Sequence, residues 1–270
     1  MIGLLLGSAL CILMLGLVMV ASSSVAVAER FTGDMFHYFN RQLIFAGIGL
    51  VAGGLVWSTP LSQWENKGFA LLAMALALLV LVFIPGMGRE VNGAQRWIGL
   101  GPVNLQVSEL ARLFLLIYLA SYVVRRREEM TLKLAGLLKP LLPMSLACIL
   151  MLLQPDFGAV VVLMAVSIVV LFVGGARILH LLLLFVMSAG LLAIMAVSSP
   201  YRVRRLTSFT DPFANPYDSG FQLVQSLIAI GRGDITGVGL GNSVQKLLYL
   251  PETHTDFLFA ILAEEMGLIG

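Results

Sequence analysis

Residues 2–21 read IGLLLGSALCILMLGLVMVA, twenty positions without one charged side chain. A helix needs about 20 apolar residues to cross the hydrocarbon of a bilayer, within a range of roughly 17–25. This stretch meets that length unaided. Ala26-Val27-Ala28 has the small-residue pattern of a signal-peptide cleavage site. The apolar run is nevertheless too long for a signal-peptide core, and no basic residue stands before it. It reads as a first, retained span.

The pattern recurs along the chain. Continuous apolar stretches place further spans near 42–58, 69–85, 103–124, 139–154, 158–174 and 177–198, with an eighth starting at about 257 and cut short at Gly270. Of 270 residues, 59% are hydrophobic and only 12% charged, where a soluble domain carries about 25%. Lipid cannot satisfy backbone polar groups, so only helices or a closed barrel cross it. Uninterrupted apolar runs, in place of alternating ones, select helices. The expected fold is all-α: a polytopic membrane protein forming one transmembrane domain over residues 1–270, with a large loop at 199–256 between helices seven and eight.

A net charge of +2 leaves no electrostatic footprint for a nucleic acid. Cys11 and Cys148 sit inside apolar runs and read as packing residues. His37, His180 and His254 are too scattered to suggest a metal cage. Basic residues orient the spans. Arg125-Arg126-Arg127, with Lys133 and Lys139, form the strongest cluster and should face the cytoplasm. Alternation then adds Lys67 and Arg177 inside, giving seven, against four in the short outer loops: Arg30, Arg41, Arg89 and Arg96. The 199–256 loop holds five more, Arg202, Arg204, Arg205, Arg232 and Lys246, but long loops translocate largely regardless of charge.

That loop, 58 residues between Ser198 and Phe257, is too long for a structureless connection. Phe221, Leu223, Val224, Leu227 and Ile228 fall at helical spacing, interspersed with Gln222 and Gln225, which predicts an amphipathic helix on or partly in the membrane. Turn-formers surround it: Asp211-Pro212, Asn215-Pro216, Asp218-Ser219-Gly220 and glycines 231, 233, 237, 239 and 241. Ordered loops of this kind tend to carry function.

Ionisable groups at membrane depth are costly, and each is a functional candidate. Glu109 and Arg112 share a face at the head of the fourth span, either locking helices together or walling a polar pocket. Asp156, in Gln154-Pro155-Asp156-Phe157-Gly158, is either a turn cap or a cavity residue. In Leu250-Pro251-Glu252-Thr253-His254-Thr255-Asp256-Phe257 three titratable residues stand where the loop re-enters the bilayer. His254 and Asp256 give too few ligands for a structural metal site. A carboxylate partly withdrawn from water there would gain proton affinity and could act as a general base; Asp256 could equally cap the eighth helix. Gly237-Val238-Gly239-Leu240-Gly241 fits a phosphate-binding turn or simple close packing. Arg202, Arg204 and Arg205 suit phosphate or interfacial anchoring.

At these residues the chain resembles the SEDS family (shape, elongation, division and sporulation) of peptidoglycan glycosyltransferases, and its division-type branch in particular. The resemblance rests on Asn92-Gly93-Ala94-Gln95-Arg96-Trp97-Ile98, Gln106-Val107-Ser108-Glu109-Leu110, Gln154-Pro155-Asp156-Phe157-Gly158, Asp211-Pro212-Phe213-Ala214-Asn215-Pro216, Gly239-Leu240-Gly241-Asn242-Ser243-Val244-Gln245-Lys246 and Tyr249 to Phe257. Members have ten transmembrane helices, usually behind a cytoplasmic leader, so about eight are expected here and the leader is not. The family's frequent Gln-Pro-Ser-Glu reads Gln106-Val107-Ser108-Glu109, and its common lysine is Arg112, which keeps the charge but not the shape.

The resemblance implies polymerisation of lipid II into glycan strands at the division septum of the bacterial inner membrane, with the active loop periplasmic. It implies a cognate class B penicillin-binding transpeptidase of the FtsI type, and other division membrane proteins, as partners. It maps the family's proposed catalytic aspartate onto Asp256. Arg96, Trp97, Glu109, Arg112 and Asp156 match positions implicated in activity or in holding the cavity, and Arg202, Arg205, Lys246 and His254 join them as substrate candidates. A divalent cation, magnesium or manganese, is compatible with the pyrophosphate chemistry. The same polar cavity would also serve a lipid II flippase, or the chain could be a non-enzymatic scaffold of the division apparatus.

Overall fold

A computed structural model describes residues 2–91, 94–100, 103–132, 134–218 and 220–270. In chain order its elements are α1 (Ile2–Thr32), α2 (His37–Ser58), α3 (Leu61–Asn66), α4 (Gly68–Leu81), β1 (Gly88–Val91), β2 (Ala94–Leu100), β3 (Val103–Gln106), α5 (Val107–Arg125), α6 (Arg127–Leu132), α7 (Leu134–Leu153), α8 (Phe157–Val173), α9 (Ile178–Val197) and α10 (Pro200–Thr210). A 3-10 turn (Pro212–Ala214) then leads to α11 (Phe221–Gly233) and α12 (Leu258–Met266). Seven helices answer the first seven expected spans in order. Among the described residues α1, α2, α5, α7 and α9 are long and apolar enough to cross a membrane, while apolar α4 and α8 are shorter. Helix α4 stops at Leu81, ahead of Pro85-Gly86, where the sequence suggested a span to 85.

The chain separates into two compact units, residues 59–196 and residues 1–58 with 197–270. In the first, α5 packs on α4, α7 and α8 around Leu79, Leu115, Leu119, Met144 and Leu163. Between lipid-solvated helices tight packing and small residues, more than water exclusion, drive association. Gly68 shows this: a β-carbon there would lie 2.8 Å from Ser121 Cβ, so α4 approaches α5 backbone to side chain.

The three-stranded sheet departs from the all-helical expectation. Strands β1, β2 and β3 pair antiparallel in sequence order, Arg89 facing Trp97 and Trp97 facing Gln106. Residues 103–106, expected to begin the fourth span, instead close this sheet. Their apolar residues are too few to tell strand from helix by periodicity.

The second unit joins α1, α2 and α10 to α12. Its core is Met19, Ala229, Leu250, Ala260 and Ile261. Helix α11 forms where the spacing of Phe221 to Ile228 predicts one; it buries Val224 and Ala229 and leaves Leu227, Ile228 and Ile230 exposed.

Candidate active site

The candidate residues divide between the units. In residues 59–196, Asp156 is the N-cap of α8, its Oδ1 accepting the Ala159 N–H at 3.3 Å. Its Oδ2 accepts the Ser108 hydroxyl at 2.6 Å, and Arg96 Nη1 stands 3.3 Å from Oδ1. The Gln106 amide donates in turn to Ser108 Oγ at 3.2 Å. Strand β2, the head of α5 and the head of α8 thus converge on one buried carboxylate, which is a cap and an ion partner at once. Trp97, half-buried, neighbours Arg96 on β2. Arg112 pairs with Glu109 on the same helix, so this pair stitches one helix and does not lock two; Glu109 stays exposed. Asn92 and Gly93 lie outside the described residues.

In the other unit Leu250–Phe257 is a succession of turns pinned at two points. Leu250 is buried in the core, and Thr253 Oγ1 donates to the Ser23 carbonyl at 3.3 Å. Glu252 takes a left-handed φ of 54°; its carbonyl accepts the Thr255 and Phe257 N–H groups at 3.2 and 3.1 Å. The His254 ring lies on Tyr38 of α2, centroids 4.3 Å apart. Burial holds its pKa below the usual histidine value, against the opposing pull of Glu252.

Asp256 is exposed. Among the described residues nothing donates to its carboxylate, and the cap position of α12 belongs to Phe257, with no side-chain bond. Capping therefore does not explain the aspartate. Its expected partial withdrawal from water is not seen either, because the backbone reaches the surface at Thr255 and Asp256 after burying Thr253. What the position offers is an unengaged acceptor.

Lys246, expected to contact substrate, is already engaged. Its Nζ stands 2.7 Å from Glu265 Oε1 and 3.0 Å from Ser22 Oγ, and Ser22 donates to the Glu265 carboxylate at 2.9 Å. The glycine run follows the close-packing reading at Gly237, whose φ is +76° and whose β-carbon would fall 2.2 Å from the Glu265 carbonyl oxygen. Arg202 and Arg205 are on α10, with side chains outside the described residues. No trio of His, Cys, Asp or Glu converges among the described residues.

Sequence reasoning passed over Glu264 and Glu265, both essentially fully buried on α12. The signal was present: two adjacent carboxylates in an apolar helix at membrane depth.

Known proteins are similar to this chain over nearly all of its length. A family model described as a cell cycle protein, FTSW_RODA_SPOVE, matches residues 3–270. The chain is 54% identical over 266 residues to a probable peptidoglycan glycosyltransferase FtsW of Nitrosococcus halophilus, covering 98% of this chain and 68% of that one. It is similar to a chain of a peptidoglycan synthase complex that coordinates polymerization and crosslinking, with TM-score 0.66, 28% identity, and coverage of 96% and 71%. It is also similar to the rod shape determining protein RodA of Thermus thermophilus, with TM-score 0.58, 25% identity, and coverage of 96% and 67%. The chain spans about two thirds of the length of the curated relatives it matches.

Proposed function

This chain belongs to the FtsW, RodA and SpoVE family of cell cycle proteins, and we propose that it polymerises lipid II into glycan strands at the division septum, with Asp256 as general base. The observation that carries the reading is the carboxylate of Asp256 at the mouth of α12, engaged among the described residues in neither a cap nor an ion pair although its neighbours Thr253 and His254 are held in place. The two acids buried on α12, Glu264 and Glu265, are instead consumed by partners.

In the proposed step Asp256 takes the proton of the acceptor sugar's 4-hydroxyl as that oxygen bonds to the donor's anomeric carbon. The bond from that carbon to the lipid pyrophosphate breaks, and the pyrophosphate leaves as an anion, with inversion. The leaving group needs no protonating acid, unlike that of a glycosidase. Arginines of α10, Arg202 and Arg205, would meet the developing charge on the pyrophosphate. Within residues 59–196, Arg96, Trp97, Glu109, Arg112 and Asp156 would supply the polar positions that the family resemblance implicates in activity. Residues 199–256 would face the periplasm, and the partner would be a class B penicillin-binding transpeptidase, in keeping with a similar chain found in a peptidoglycan synthase complex.

The test is lipid II polymerisation by the purified full chain, with and without that partner. Asp256→Ala should lower the rate by about 10²–10⁴-fold, the usual worth of general-base assistance, while the protein stays folded and membrane-inserted. Glycan synthesis at the wild-type rate would remove Asp256 from the chemistry; lipid II flipping without polymerisation by the unaltered protein would replace the whole reading with a transporter.

A further inference from the structure

We infer that Glu264 is a positioning residue for the polymerase: it clasps the segment that carries Asp256 into a closed loop, an inference that rests on the reading of Asp256 as the base. A carboxylate withdrawn from water is tolerated only when paired and hydrogen-bonded, and Glu264, 0% exposed, uses both oxygens fully. Oε1 accepts the Val244 N–H at 3.1 Å and faces Arg232 Nη1 at 3.3 Å. Oε2 accepts the Ser243 hydroxyl and, at 3.4 Å, the Gln245 N–H. The backbone of the same helical turn holds the preceding glycine segment, since Val238 and Gly239 donate to the carbonyls of Glu264 and Glu265, each at 3.0 Å.

The geometry closes a ring of chain. Starting at the Ser243–Gln245 turn, Leu250 N–H bonds back to the Gln245 carbonyl at 3.0 Å, Leu250 enters the core, and Thr253 is tied to α1 through Ser23. Asp256 follows, and two residues later α12 begins. Helix α12 then runs to Glu264, which grips the turn where the ring started. Asp256 is therefore held between the root of a helix and a loop bound to that helix's far end. Removing the clasp frees one end of the ring without touching the carboxylate. Because Arg232 lies in the last turn of α11, the clasp also fixes that amphipathic helix to the ring.

A group that positions the base should act on turnover more than on substrate capture. Glu264→Ala should lower kcat for lipid II by about 10- to 100-fold, the scale set by a misplacement of around 1 Å at a reacting group, with KM within about twofold of the unaltered protein. Glu264→Gln keeps one acceptor oxygen and should fall between the two. Should the Ala variant fail to fold, the Gln variant, checked for an unchanged thermal unfolding midpoint, decides alone. A wild-type kcat in the folded Glu264 variants, or a loss expressed only in KM, overturns the clasp. The two readings separate cleanly: wild-type polymerisation by Asp256→Ala sinks the catalytic reading, while an inactive Asp256→Ala beside fully active Glu264 variants sinks only this inference.

Discussion

At the scale of single residues, the clearest contrast is between two aspartates. Asp156 is saturated, serving Ala159, Ser108 and Arg96 together, whereas Asp256 serves nothing among the described residues. Saturation makes Asp156 a stability residue first. Losing a cap costs about 1 kcal/mol, and stranding the half-exposed Arg96 adds to it, short of the roughly 3–5 kcal/mol of a fully buried broken pair. Asp156→Ala should therefore destabilise by about 2–3 kcal/mol, and Asp156→Asn, which keeps an acceptor, by less. Thermal unfolding in detergent measures both; equal midpoints for Ala and Asp would contradict the ion-paired cap. His254 makes a pH prediction. Burial depresses its folded pKa below the unfolded value, near 6.5, so as pH falls through that range the unfolded chain binds a proton first. Stability should decline below about pH 6.5 and level off under the folded pKa. His254→Gln should flatten that decline in unfolding midpoints measured from pH 8 to 5, and an unaltered decline would show that other groups cause it.

At the scale of elements, the junction of α11 and α12 is built on absent side chains. A β-carbon at Gly233 would lie 1.9 Å from the Ala263 carbonyl oxygen, and one at Gly237 2.2 Å from that of Glu265. Gly53 of α2 has nothing within 4 Å. Gly233→Ala and Gly237→Ala should each destabilise by about 1–3 kcal/mol, the cost of overpacking. Gly53→Ala should instead be neutral or stabilising by up to about 1 kcal/mol, since alanine favours a helix interior. Indistinguishable unfolding midpoints for all three would mean that the junction relaxes freely. The amphipathic helix α11 was legible beforehand because its spacing is a property of consecutive residues. The sheet was not: β1 and β3 span four residues each, and their pairing depends on partners up to 10 positions away, as Gly88 with Ile98.

At the scale of the molecule, the proposed orientation puts Arg125-Arg126-Arg127 in the cytoplasm and residues 199–256 in the periplasm. With Cys11 and Cys148 replaced, a cysteine at Arg127 should react with a membrane-impermeant thiol reagent only after the membrane is opened. One at Tyr217, 93% exposed, should react from outside intact cells. The reverse pattern would place the proposed chemistry on the side of the membrane where glycan strands are not built.

Sequence alone determined that the chain is a polytopic helical membrane protein, the order of its apolar helices, an amphipathic helix at 221–228, and the motifs that tie it to its family. These depend on local sums of hydropathy and on fixed spacings along one chain. Tertiary structure decided how the charges are used. It set Arg96 against Asp156, confined Glu109 and Arg112 to one helix, buried Lys246 with Glu265 and Ser22, and made Glu264 the anchor of the 243–245 turn. A buried charge must find its partner in space, and Ser22 and Glu265, 243 residues apart, meet only because α1 packs on α12.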